Sequence, residues 1–384
     1  MDGGWASMTL RVVKVGTSLL RGQEQVSTET MIGRLADALA ESLEKGDRAV
    51  LVSSGAVGLG CRRLGLNSRP ESVVALQAAA AVGQGHLMGL YEAAMARHSK
   101  TVAQVLLTRS DLADRRSYRN ASATLHQLLD WGVLPIVNEN DTISSAELRF
   151  GDNDTLSALV AAAVEADELI LLTDVNHLYS ADPRIDASAH PITDVHHPSE
   201  LAQLEEGAGD GGRWGTGGMT TKLAAARIAT ASGITVHLAD GREASVLQDL
   251  LQGGRGGTVF HPHPEPLGQR KRWLAHALQP QGSLHLDHGA CEALLHRGAS
   301  LLLVGIAAID GRFDSGDAVR LLGPDGTELG RGLSSLSSEV LQKALEVGSN
   351  DRVEIDNQLN GGSPLVVHRD ALVLSTPTIR PAEL

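Results

Sequence analysis

The chain has 384 residues, 42% of them apolar, and a formal charge of −13. That length predicts two or three domains with real cores, while the negative balance excludes a protein whose main work is gripping nucleic-acid backbones. Aromatic residues make up only 3%, too few for the stacking platforms of single-strand binders. Cys61 and Cys291 are the only cysteines, which excludes a disulfide framework or a Cys-based zinc site. No basic leader precedes an apolar run near Met1, and no stretch reaches the roughly 18 uninterrupted apolar residues of a membrane span, so a soluble cytoplasmic protein is expected. Met8 is as good a start as Met1.

The first two thirds alternate apolar runs with Ala/Leu-rich periodic stretches, the pattern of strand and helix units that wind a mostly parallel sheet. Strands are predicted at Leu10–Val15, Ala49–Ser53, Val102–Leu107, Val133–Val137, Glu168–Thr173 and Thr235–Ala239. Helices are predicted at Thr28–Lys45, with Thr28 as cap, and at Val73–His98, Tyr118–Asp130, Thr155–Val164 and Thr220–Ala231. Polar clusters follow the strands directly: Gly16-Thr17-Ser18, Ser53-Ser54-Gly55, Asn138-Glu139-Asn140-Asp141 and Thr173-Asp174. In parallel sheets ligands bind beyond the carboxyl ends of strands, so these clusters should meet on one rim. The prolines of His261-Pro262-His263-Pro264-Glu265-Pro266 mark a boundary. Beyond it, short β-rich runs between Gly/Asp turns predict a small barrel-like domain. The expected division is residues 8–262, a linker at 263–280, and a β-rich domain at 281–370.

Thr216-Gly217-Gly218-Met219-Thr220-Thr221-Lys222 sets bare backbone, hydroxyls and a lysine at the mouth of an Ala-rich helix. Paired glycines let main-chain N–H groups approach an oxyanion, and a helix N-terminus favours negative charge, so phosphate is the natural guest. Taken alone, the segment reads equally well as a flexible loop before a capped helix, since residues 207–218 hold seven glycines. No Gly-x-x-x-x-Gly-Lys-Ser/Thr string occurs, which excludes an ordinary nucleotide-triphosphatase loop.

Lys14 is a charge inside an otherwise apolar strand end, and an ammonium there must meet an anion or snorkel to solvent. With Gly16-Thr17-Ser18 beside it, and Lys222 on a second Gly-rich element, the pair suits a transferring phosphoryl group. Gly151-Asp152-Asn153-Asp154 ahead of a predicted helix start would be a cap on the simplest reading, which explains one of its polar residues and not all three. Together with Asn138-Glu139-Asn140-Asp141 it can recognise a zwitterion, carboxylate for ammonium and amide for carboxylate. The pairs His196-His197 and His261/His263 lack a partner cluster at ligand spacing and are read as surface histidines. Ser54 has no Gly-x-Ser-x-Gly frame, so a hydrolase elbow is excluded.

These strings, together with Leu106-Leu107-Thr108-Arg109, Leu172-Thr173-Asp174 and Leu178-Tyr179-Ser180-Ala181-Asp182-Pro183-Arg184, stand in an order that resembles the glutamate 5-kinase branch of the amino acid kinase family, in the bacterial form with a C-terminal PUA domain. The resemblance implies a three-layer αβα sandwich around a mostly parallel sheet, plus a small β-rich PUA-like barrel. It implies ATP-dependent phosphorylation of the L-glutamate side-chain carboxylate to L-glutamyl 5-phosphate, the first step of proline synthesis. By the same resemblance Lys14 and Lys222 hold phosphate oxygens and Asp154 orients them. Ser54, Asp141 and Asn153 match glutamate-binding positions. Thr173, Asp174 and the segment Thr216, Gly217, Gly218, Met219, Thr220, Thr221 and Lys222, with Lys14, match nucleotide-binding positions. Mg²⁺ is expected to arrive with ATP, bridging its phosphates, with no protein metal site. Proline as feedback inhibitor, a separate glutamyl phosphate reductase and a homo-oligomer are further expectations.

Two other classes compete. PUA modules often bind RNA, but residues 281–370 carry 7 Lys/Arg against 13 Asp/Glu, a net of −6, the wrong sign for phosphate backbones. Another member of the family, acting on N-acetylglutamate, aspartate, carbamate or UMP, would share the nucleotide half without the whole set of polar strings.

Overall fold

The structure, a computed structural model, describes residues 8–21, 26–143, 153–183, 186–209, 217–264, 266, 268–272, 274, 278, 280–346 and 365–374. It divides into two compact units, one ending at Pro266 and the other beginning at Leu267. Gly151, Asp152, Arg184 and Thr216, all part of the sequence motifs, lie outside the described residues.

In the first unit β1 (Leu10–Val15) leads through α1 (Thr17–Leu20) and α2 (Thr28–Glu44) to β2 (Arg48–Ser53), followed by α3 (Ala56–Arg63) and α4 (Val73–Ala96). Then come β3 (Val102–Leu107), α5 (Arg109–Ala113), α6 (Arg115–Asp130), β4 (Leu134–Glu139), α7 (Asn153–Val164) and β5 (Glu168–Thr173). The short strands β6 (Leu178–Tyr179), β7 (Pro191–Ile192) and β8 (Asp194–Val195) precede α8 (Pro198–Gly209), α9 (Gly217–Ala231), β9 (Thr235–Asp240), α10 (Ala244–Leu251) and β10 (Thr258–Phe260). The main sheet has the order β3-β4-β2-β1-β5-β9-β10-β8, and β3 through β9 run parallel. β10 is antiparallel to β9.

Strand alternation sorts the side chains of β1 between two helical layers. Val13 and Val15 join a core with Leu35 and Leu39 of α2, Leu87 and Tyr91 of α4, and Leu247 of α10. Residues 12 and 14 take the opposite face, where α7 packs along β1, β2 and β5 and against α9. This α/β/α layering explains why Lys14 has company: its face is covered by the first turn of α7.

Several boundaries differ from the expected ones for local reasons. Ser27, not Thr28, caps α2, accepting from the Thr30 N–H, and Thr28 instead donates its hydroxyl to the Leu20 carbonyl. α6 begins three residues before Tyr118 because the Asp114 carboxylate caps it through the Ser117 N–H. β4 runs on to Glu139, so Asn138 and Glu139 belong to the strand, and α7 already includes Asn153 and Asp154. α4 is long and apolar enough, by length and composition, to cross a membrane, with a mean hydropathy of 1.3. Here it packs on α2, α3 and β3.

α3 and α4 cross backbone on backbone. A Cβ on Gly60 would lie 1.7 Å from the Ala79 carbonyl oxygen, and one on Gly83 1.8 Å from that of Ala56. Gly55, at φ +99°, makes the turn that launches α3 directly after Ser54.

The second unit, after the short α11 (Gln269–Arg272), contains β11 (Gly282–Leu286), α12 (His288–Arg297), β12 (Leu301–Leu302), β13 (Ile306–Gly311), β14 (Ala318–Leu322), β15 (Glu328–Leu333), α13 (Ser338–Glu346), β16 (Leu365–Val367) and β17 (Leu372–Leu374). Five strands pair in the order β13-β11-β14-β15-β17 around a core that includes Leu284, Leu294, Phe313, Val319, Leu321, Leu341 and Val366.

Candidate active site

Because β1, β2, β4 and β5 are parallel neighbours, their carboxyl ends lie on one edge of the sheet, and the polar residues at those ends meet the start of α7. Two sites form there, side by side.

The first is cationic. Lys14 Nζ lies 2.5 Å from Asp154 Oδ1, and Lys222 Nζ 3.2 Å from Asp154 Oδ2. Thr221 donates its hydroxyl to the same Oδ2 at 2.8 Å. Lys14 and Asp154 are each only 5% exposed. Burial alone would raise the Asp154 pKa, but the Lys14 and Lys222 charges, with hydrogen bonds from Lys14 and Thr221, outweigh it and hold the carboxyl below its usual range. One carboxylate between two ammonium groups leaves a net positive charge, which suits an anion.

Lys222 projects from the first turns of α9, where its Nζ also donates to the Gly218 carbonyl. Gly217, Gly218, Met219 and Thr220 form the start of that helix, whose leading N–H groups have no partner within the helix itself. Thr173 is buried at the end of β5, with its hydroxyl donating to Asp174 at 3.2 Å. The Gly16 N–H donates to the Leu172 carbonyl, which ties the turn after β1 to β5.

The second site is a cavity of about 490 Å³ lined by residues that include Ser54, Gly55, Arg69, Asn138, Asp141 and Asn153. The Asn153 side-chain nitrogen shares its two N–H groups among the Ser53 main-chain carbonyl, the Ser54 hydroxyl and the Asn138 side-chain Oδ1, at 3.0, 2.9 and 3.0 Å. Asn153 Oδ1 is buried without a partner among the described residues, an acceptor left over for a ligand. Burial, then repulsion from Glu139, pushes Asp141 up to about 6, with Arg69 working in the opposite sense. A raised carboxylate pKa in a cavity is relieved when a cation enters. Asp141 and Arg69 thus offer one anion and one cation to the same guest.

All of the sequence-predicted site residues that are described fall on this edge. Arg69 was missed: it sits in the stretch between α3 and α4, with no motif around it. Arg11, which unlike the exposed Arg69 is buried, is explained structurally by pairing with Asp47 and Glu168, both at 2.6 Å. The histidines need a correction. His196 and His261 do have a partner, because parallel pairing of β8 with β10 brings Asp194 to them. His261 Nε2 lies 2.8 Å from Asp194 Oδ1, and the two imidazoles stack at 4.2 Å.

The amino acid kinase family model matches residues 9–240, and the PUA domain model matches residues 282–354. Curated relatives named glutamate 5-kinase include those of Parasynechococcus marenigrum (strain WH8102), 69% identical over 367 residues, and Synechococcus sp. (strain CC9605), 67% identical over 367 residues. Both alignments cover 96% of this chain and 99% of the relative. Among solved structures, a Giardia carbamate kinase covers 67% of this chain and 100% of its own, with 19% identity and a TM-score of 0.49. Sequence similarity along nearly the whole length therefore places the chain in the amino acid kinase family, among the glutamate 5-kinases.

Proposed function

We infer that the chain transfers the γ-phosphoryl group of ATP to the side-chain carboxylate of L-glutamate, giving L-glutamyl 5-phosphate and ADP, and so serves L-proline synthesis. The observation that carries this reading is the junction at α7. Asn153 lines the zwitterion cavity, and its neighbour Asp154 holds the two lysines. A substrate held by its α-carbon groups in the cavity can thus present its far carboxylate to a phosphate held at the lysines. The names of the closely similar relatives support the same substrate.

The chemistry asks little of acid–base groups. The attacking carboxylate is ionised at neutral pH, so no general base is needed. An oxygen–phosphorus bond forms as the bond from phosphorus to the β,γ-bridging oxygen breaks, and the electron pair leaves with ADP. Charge on the transferring group is met by Lys14 and Lys222, while Asp154 keeps both ammonium groups aimed. Within the cavity, Asp141 and Asn153 Oδ1 accept from the substrate ammonium, and Ser54 and Arg69 face its α-carboxylate. Thr173, Asp174 and the start of α9 serve the nucleotide. The donor set around the lysines consists of ammonium, hydroxyl and N–H groups, which fits phosphate oxygens. Mg²⁺ would arrive with ATP, held through its phosphates, and would supply charge neutralisation there.

Proline, which resembles glutamate around the α-carbon, is proposed as an inhibitor at the Asp141 end of the cavity. The labile acyl phosphate calls for a separate reductase, and a cytoplasmic homo-oligomer is part of the same reading. The test is ATP turnover with Mg²⁺ and L-glutamate, with acyl phosphate trapped by hydroxylamine. Hydroxamate from the wild type and none from Lys222→Ala supports the assignment, whereas equal yields refute the role of Lys222.

A further inference from the structure

The buried amides behind the cavity form a chain whose direction is set at both ends by main-chain groups. The Ser53 carbonyl can only accept, so the nitrogen of Asn153, 3.0 Å away, must face it. The Glu139 N–H can only donate, so the oxygen of Asn138, 2.9 Å away, must face that. Asn138 Oδ1 also accepts from Asn153, which leaves Asn138 Nδ2 pointing the other way. There it donates to Gln84 Oε1 of α4 at 2.8 Å. Gln84, Asn138 and Asn153 are 9%, 2% and 3% exposed, so water does not readily replace any member.

Gln84 gains little for itself. Its Nε2 is buried without a partner among the described residues, a cost that an apolar side chain of similar size would avoid. What its Oε1 does is hold Asn138 in one orientation. Without that acceptor, Asn138 Nδ2 is an unpaired buried donor, and only the Glu139 N–H and the Asn153 amide still oppose a turn of the Asn138 side chain. Asn153 then keeps the Ser53 carbonyl but has a less firmly held partner in Asn138, and so loses part of what fixes the side on which its Oδ1 lies. The backbone approach of α3 to α4 at Gly60 and Gly83 places Gln84, the next residue after Gly83, deep enough to reach Asn138.

We propose that Gln84 is a positioning residue for substrate recognition: through Asn138 it keeps the Asn153 carbonyl oxygen presented as an acceptor for the ammonium group of the amino-acid substrate. This rests on the reading of the cavity as the L-glutamate site. Gln84 does not itself touch substrate, and the lysine centre is independent of it.

The test is steady-state kinetics on the full chain with ATP and L-glutamate for the wild type, Gln84→Met, which keeps volume without the acceptor, and Gln84→Glu, which keeps an acceptor oxygen at the same reach. The expected result is a KM for L-glutamate raised about tenfold in Gln84→Met, with kcat within about twofold and KM for ATP unchanged. Gln84→Glu should return the KM to within about threefold of the wild type. Gln84→Leu repeats the test should the Met variant not fold. Unchanged KM in the Met variant overturns the proposal, as does a loss spread over kcat and both KM values that Gln84→Glu does not restore. A wild type with no activity on L-glutamate overturns the reading of the cavity instead, so the two failures are distinguishable.

Discussion

The Asp154 carboxylate lies 2.5 Å from Lys14, and both side chains are almost withdrawn from water. Breaking such a pair from one side leaves a buried charge uncompensated, which costs about 3–5 kcal/mol. Asp154→Asn should therefore lower stability by about 3 kcal/mol in urea titration and reduce kcat by at least about a hundredfold, because both lysines lose their aim. The pH dependence follows from a carboxyl held below its usual range. Its contribution is fully present above the unfolded value of about 4 and is lost only as pH falls through the lower folded value. Between pH 7 and 5 the stability gap between wild type and variant should hold steady, and it should narrow below about pH 4.

Asp141 behaves oppositely. Its pKa of about 6 in the ligand-free protein means that an ammonium ligand must ionise it below that pH. KM for L-glutamate should be flat above about pH 7 and rise toward tenfold per unit below about pH 6. In Asp141→Asn the KM should be high and flat across the same range. The ionised carboxylate also weighs against the empty fold, since a raised folded pKa removes stability as pH rises from about 4 to 6. Asp141→Asn should accordingly raise the ligand-free stability at pH 7.5 by about 1 kcal/mol, measured by thermal unfolding.

Arg69 shares the cavity with Asp141 and supplies its opposing charge. Arg69→Ala should raise KM for L-glutamate about tenfold. It should also erase the preference for L-glutamate over its α-amide, in which the carboxylate that Arg69 faces is neutral. An unchanged preference would remove Arg69 from substrate recognition.

Gly83 has no room for a methyl group, its Cβ position being 1.8 Å from the Ala56 carbonyl oxygen. Gly83→Ala must push α3 from α4, at a cost of about 2–3 kcal/mol. Since Ser54 and Gly55 lead straight into α3, the variant should also bind L-glutamate more weakly. Gly85, with open space around its Cβ position, is the control: Gly85→Ala should leave both properties unchanged.

Lys14 was legible in the sequence because a charge inside an apolar strand needs an anion, and the strand period puts it on the face that α7 covers. The Gly-rich start of α9 was legible because only bare backbone suits that position. Asn153 and Asp154 read as residues ahead of a helix, yet the helix begins with them, because their side chains are occupied across the sheet rather than in capping. Arg69 and Gln84 carried no local signal. Each matters through a partner at a sequence distance of 54 or more, Asn138 for Gln84 and Asp141 for Arg69, and such pairing is created by the sheet order and the α3–α4 crossing. The partner of His261 was hidden likewise, since only the β8–β10 pairing brings Asp194 beside it.

The central claim is that one cavity reads a free amino acid by its ammonium and carboxylate while the lysine centre phosphorylates its far end. Hydroxylamine trapping with ATP and Mg²⁺, run in parallel on L-glutamate, N-acetyl-L-glutamate and L-aspartate, tests it most directly. The account predicts hydroxamate with L-glutamate alone, since acetylation removes the charge that Asp141 meets and aspartate falls one methylene short of the phosphate. Hydroxamate from N-acetyl-L-glutamate or L-aspartate, with none from L-glutamate, would contradict it.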